Sequence, residues 1–259
     1  MPALLLVTLV AIAGCGSEAP PAGERRLTVY AAASLAEVFP RIDPSARYSF
    51  AGSDELAAQL REGAQADVYA AANAEYPRQL HRAGIVEKPV VFAANRLVLI
   101  VPKRNPAQIA RVDDVRRLGT KLVIAAEGVP VGGYTRALLE TLDLSDALAN
   151  VVSNEDDVKG VVAKVALGEA DAGFVYATDA AAAGERVRTI ELPSEAQPTI
   201  EYAIAVVATN GNKAAAEAFV RKVRSVEGRA VIEAAGFVVP DGQVRRSSSA
   251  TSRFGATIR

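Results

Sequence analysis

The stretch LTVYAAASL, residues 27–35, carries a β-branched and aromatic run into a serine that sits where a helix can begin. A second junction of the same kind, FAGSDEL at 50–56, places Ser53 ahead of Asp54 and Glu55, whose carboxylates favour a first helical turn. Working outward, short apolar runs recur as VVFAANRLVLIVP (90–102), KLVIAA (121–126), DAGFVYA (171–177) and YAIAVVAT (202–209). Helical patterns lie between them at 54–62, 74–83, 133–142, 156–167 and 212–235, the last interrupted near Gly228. Strands alternating with helices predict an α/β architecture with mostly parallel sheets. Pro40 and Pro44 predict a short first helix after Ser34.

The ends read differently. Ala3 to Ala13 is an apolar run too short to span a bilayer, and it leads through Gly14 to Cys15, the one cysteine of the chain. This pattern resembles a bacterial lipoprotein signal, with Cys15 as the lipidated residue; the alternative is a cleaved signal peptide with an incidental cysteine. Gly16 to Arg25 is expected to be a tether and 241–259 a disordered tail. About 215 residues remain for the fold, enough for two linked lobes or one large domain. With 29 basic and 30 acidic side chains, no nucleic-acid footprint or polybasic membrane patch is indicated.

The helix starts carry the chemistry. An N-terminal turn offers unpaired amides and a partial positive charge. Neither Ser34 nor Ser53 has Lys or Arg as a neighbour, which suits a bare oxyanion held by neutral donors. Each serine also has a plainer reading: Ser34 and Glu37 fit a capping box, and Ser53 a simple N-cap. Val129 to Gly133 follows a strand and precedes a helix, with glycines that either admit a ligand to the backbone or merely make a tight turn. Asn154 to Val158 is a further helix start, and Tyr176 closes a strand at the carboxyl end, where open α/β sheets bind ligands. The single histidine, His81, lies on a polar helix, so a histidine metal site and a Ser-His-Asp triad both lack parts. No P-loop or GxGxxG follows a strand.

Taken in order, AAASL, FAGS, ADVYAAA, NRLVLIVP, GVPVGGY, EDDVKGVVAKVALGEADAGFVYATDA, EYAIAVV and AAGF resemble the periplasmic molybdate-binding proteins that feed ABC importers, from Leu27 to Phe237. The resemblance implies a two-lobed α/β fold of the type II periplasmic-binding-protein class, each lobe a mostly parallel sheet flanked by helices, with the ligand cleft between. Residues 26–97 and 202–240 would form lobe one and 98–201 lobe two. It further implies an oxyanion bound by Ser34 and Ser53 through hydroxyl and amide, by the amides of Val131 and Val158, and by the hydroxyl of Tyr176. No catalytic residue, cofactor or direct metal ligand is implied. The expected protein is a monomeric molybdate receptor, also suited to tungstate, that works outside the cytoplasmic membrane and delivers to ABC permease subunits. A sulfate or phosphate receptor of the same fold is the alternative, followed by a lipid-anchored phosphoryl-processing enzyme built on Asp156, Asp157 and Tyr176. Three positions depart from the family: Asn73 stands where Asp is usual, Ala203 where Pro is usual, and nineteen positions separate the two serines, fewer than is common. Asp54 is expected to face solvent.

Overall fold

The computed structural model describes residues 25–209 and 211–240. Cys15, most of the tether and the tail after 240 lie outside them. Ten strands form two five-stranded sheets. The first contains β1 (Thr28–Ala32), β2 (Arg47–Ala51), β3 (Val68–Ala71), β4 (Val90–Asn95) and β10 (Ile200–Val206), ordered β2-β1-β3-β10-β4. The second contains β5 (Leu97–Pro102), β6 (Leu122–Ala125), β7 (Val151–Glu155), β8 (Ala172–Tyr176) and β9 (Val187–Ile190), ordered β7-β6-β8-β5-β9.

Each sheet is mixed in the same way. In the first, β1 pairs parallel with β2 and β3 while β10 runs antiparallel to β3 and β4. In the second, β6 pairs parallel with β7 and β8 while β5 runs antiparallel to β8 and β9. The reversed strand is in both cases the one that has just arrived from the other sheet. The apolar run at 90–102, read as one strand, is therefore two. Arg96 separates them, and the Asn95 side chain accepts the Arg96 amide at 2.9 Å in place of a ladder partner. Leu97 already belongs to the second sheet, and Ile200 and Glu201 to the first, so the expected lobe limits at 97 and 202 each shift by one or two residues.

Helices flank both sheets: α1 (Phe39–Ile42), α2 (Ser53–Arg61), α3 (Glu75–Arg82), α7 (Lys213–Val223) and α8 (Val226–Ala234) on the first, α4 (Pro130–Thr141), α5 (Val158–Leu167) and α6 (Ala177–Ala183) on the second. The first helix is short, with Pro40 in its opening turn. The last helical stretch breaks at Arg224 and Ser225 rather than at Gly228, because Ser225 caps α8 by accepting the Gly228 amide at 3.1 Å. Every residue of β5 is buried, as a strand covered on both faces requires. Apolar residues of both lobes join in one core, where the Tyr176 ring meets Tyr202 edge-on at 5.7 Å and Tyr202 meets Phe237 at 5.2 Å. No described helix is long and apolar enough to cross a membrane.

Candidate functional site

Ser34, Ser53, Val131, Val158 and Tyr176 all line one small cavity between the lobes. Each lies at or just beyond the carboxyl end of a strand: Ser34 after β1, Ser53 after β2, Val131 after β6, Val158 after β7, and Tyr176 as the last residue of β8. In α/β sheets this is the edge where helix starts and loops converge. The cavity measures about 10 Å³, close to the least that admits one water-sized guest. No Lys or Arg lines it. Asp157 does, but its carboxylate accepts the Gly160 amide at 2.9 Å as the N-cap of α5.

The two serines do not act as helix caps. Ser34 lies in a 3₁₀ turn, Ala33–Leu35, that has no side-chain cap, and Glu37 is exposed, so the capping box does not form. Ser34 Oγ instead lies 2.9 Å from the Tyr202 hydroxyl. Ser53 is the first residue of α2, preceded by Gly52, and its Oγ accepts the Ala72 amide at 3.0 Å. Because that lone pair is engaged, the Ser53 proton is left to donate elsewhere. Tyr69 fixes the same residue from behind, donating to the Ser53 carbonyl at 2.6 Å.

In the second lobe the donors are main chain. Pro130 opens α4 without an N–H, so Val131 supplies the first amide of that helix. Gly132 lets the helix start sit directly on β6: a Cβ there would come within 2.0 Å of the Ala126 carbonyl oxygen. Val158 opens α5, whose cap satisfies Gly160 and leaves the preceding amides free of it. The Tyr176 hydroxyl is buried and has no hydrogen-bond partner among the described residues. Burial, and then the neighbouring Tyr202, hold its pKa well above the usual 10, so it remains a donor. The site is a ring of neutral donors.

Residues 27–238 match the model of the family described as bacterial extracellular solute-binding protein. The chain belongs to that family. As a solute-binding protein it is a carrier rather than an enzyme, and its place is extracytoplasmic. The molybdate-binding protein ModA of Mycobacterium tuberculosis is 36% identical to this solute-binding protein, over 92% of this chain and 95% of the relative. Among solved structures, the periplasmic molybdate-binding protein of Azotobacter vinelandii superposes with a TM-score of 0.74 at 23% identity, covering 83% of this chain and 100% of that one. The sulfate-binding protein SubI of M. tuberculosis superposes almost equally, with a TM-score of 0.73 at 21% identity, covering 84% and 88%. The two-lobed α/β fold expected from the sequence is that of these solute-binding proteins.

The cleft also contains groups with no local signal in the sequence. Tyr202, which holds Ser34, is 168 residues away from it in the chain, and only the fold brings them together. A register shift between Tyr202 and Ala203 in the pairing of β10 with β4 accompanies this reach. Two wider cavities flank the small one. One, about 450 Å³, is lined by Tyr76, Arg78, Glu127, Tyr134 and Glu201 among others. The other, about 350 Å³, includes Ser34, Arg41, Lys159, Asp179 and Phe237.

Proposed function

We propose that the protein captures molybdate, and with it tungstate, outside the cytoplasmic membrane and delivers it to an ABC permease. The observation that carries this is the donor ring: two hydroxyls, a phenol and the helix-start amides converge on one cavity that no cationic side chain enters. An unprotonated tetrahedral dianion only accepts hydrogen bonds, and neutral donors on fixed helix starts satisfy it without a counter-charge. Phosphate near neutral pH retains a proton and needs an acceptor. The one carboxylate lining the cavity, Asp157, already serves as a helix cap. Ser34 and Ser53 act through hydroxyl and amide, Val131 and Val158 through amide, and Tyr176 through its hydroxyl.

Kinship to ModA supports molybdate over sulfate, which the shared fold does not distinguish. The lobes act as two bodies, residues 26–96 with 200–240 and residues 97–199, that close on the anion as a monomer. Lipidated Cys15 anchors the chain to the membrane face, and closure of the lobes is the signal that the permease reads.

Thermal unfolding of the chain from residue 24 onward, alone and with millimolar molybdate, tungstate, sulfate or phosphate, tests the proposal. Ligand at a thousand times its Kd adds about 4 kcal/mol, or roughly 8 to 16 °C for a chain of this size. The expected result is a shift of that order with molybdate and tungstate and little with sulfate. A shift with sulfate or phosphate alone reassigns the substrate, and none with any anion removes the function.

A further inference from the structure

Asp54 follows Ser53 in the first turn of α2, and it is only partly exposed, rather than facing solvent freely as a first-turn carboxylate ordinarily does. Its Oδ1 is buried and has no hydrogen-bond partner among the described residues. Two phenols are near enough that its charge contributes to raising their pKa values, after burial in both cases. Both spend their protons elsewhere: Tyr69 donates to the Ser53 carbonyl at 2.6 Å and Tyr76 to the Gly128 carbonyl at 2.5 Å.

What the second lobe brings against Asp54 offers nothing in return. A Cβ on Gly128 would lie 3.1 Å from Asp54 Oδ2, so that loop of the second lobe lies close beside the carboxylate. A Cβ on Gly52 would lie 2.7 Å from Asp54 Oδ1 and 2.6 Å from the carbonyl oxygen of Asp156, so an acceptor of the second lobe borders the same point beside Gly52. The unpartnered oxygen, Oδ1, is the one at Gly52, and Oδ2 is the one beside the Gly128 loop. Removing water from such an oxygen without replacing its hydrogen bond is unfavourable, and more so for a charged group.

We propose that Asp54 opposes closure of the lobes. With the lobes apart its carboxylate is hydrated; with the lobes together Oδ1 is dry and unpartnered and Oδ2 lies beside the Gly128 loop. The closed form without ligand is thereby disfavoured, and the bound solute must supply the difference. For the ligand-bound state the inference rests on the anion-capture reading, since a dianion held at Ser53 adds like-charge repulsion and favours release. For the empty protein it does not depend on that reading.

The test uses Asp54→Asn, which keeps the shape, and Asp54→Ala, which removes the oxygens without adding a donor. Small-angle scattering of the ligand-free mature chain and calorimetric titration with molybdate are compared with wild type. Both variants are expected to be more compact when empty and to bind molybdate at least fivefold more tightly, with slower release in stopped flow. Unchanged compactness of the empty variants, or affinity equal to or weaker than wild type, overturns the proposal. If wild type itself binds no molybdate, the functional reading fails, while the scattering of the empty variants still decides the role of Asp54.

Discussion

Asp179 is 2% exposed and sits two residues after α6 begins, behind the donor ring. Lys159 Nζ approaches one of its oxygens at 3.2 Å, yet neither oxygen has a hydrogen bond of good geometry. Burial raises its pKa from 3.8 to about 6, against the attraction of Lys159 and with help from the charges of Asp157 and Glu37. The folded state therefore holds this proton more tightly than the unfolded chain. The corresponding stability is present below pH 3.8 and is lost as pH rises through about 6, to a total of about 3 kcal/mol. Urea unfolding of wild type and Asp179→Asn at pH 4 and pH 7.5 checks the sign. The variant is expected to gain about 2 to 3 kcal/mol on wild type between the two, and parallel behaviour would mean that Asp179 does not titrate there. At this scale the serines were legible because strand-to-helix junctions are local. Their true partners, Tyr202 for Ser34 and the Ala72 amide for Ser53, were not, because each comes from a strand two places away in the sheet. The local alternatives, a capping box and an N-cap, satisfied the same residues on paper and do not form.

Elements place the donors, and α4 shows how tightly. The helix start rests on the end of β6 through Gly132, whose added Cβ would also approach the Ala125 carbonyl oxygen at 2.4 Å. Gly133, one residue on, is open: its Cβ would meet nothing closer than the Glu127 carbonyl oxygen at 3.6 Å. Gly132→Ala is therefore expected to destabilise the protein by about 2 kcal/mol or more and to weaken anion binding by displacing the Val131 amide. Gly133→Ala should be neutral or stabilise by up to about 1 kcal/mol through helix propensity. Denaturant melts of both separate close packing from the looser idea of a flexible glycine turn; equal effects would contradict the packing account. Most helices were legible from periodicity, as were β1, β6, β8 and β10, whereas the short strands β3, β7 and β9 were not. The break at Arg96 was not, since the apolar run continues through it and only the sheet partner changes. Nor was α6 legible, because it starts directly at the end of β8 with no intervening turn residues.

At the scale of the molecule, the two chain crossings lie side by side. Gln197 of the second crossing accepts the Leu97 amide at 2.9 Å and donates to the Leu97 carbonyl at 2.8 Å, and Arg96 pairs with Glu191. Periodicity gives no hint of this double crossing; the family resemblance does. Tied together there, the lobes of the proposed receptor open by parting along the rest of the seam. On that seam Tyr76 of α3 donates to the Gly128 carbonyl ahead of α4, one lobe to the other, at 2.5 Å. The bond exists when the lobes are closed and is exchanged for water when they part. Tyr76→Phe therefore removes a contact of the closed form alone, worth about 0.5 to 1.5 kcal/mol net. Molybdate affinity should fall by about 2- to 12-fold, chiefly through faster release. Unfolding of an open, empty protein should be unchanged, because that state does not make the bond. The effect is opposite in sign to that of Asp54→Asn, although both residues meet the same Gly128 loop. Affinity measured by titration and stability measured by urea decide the matter together. A loss of affinity with no loss of empty-state stability supports a latch, whereas an equal loss in both would make Tyr76 an ordinary packing residue.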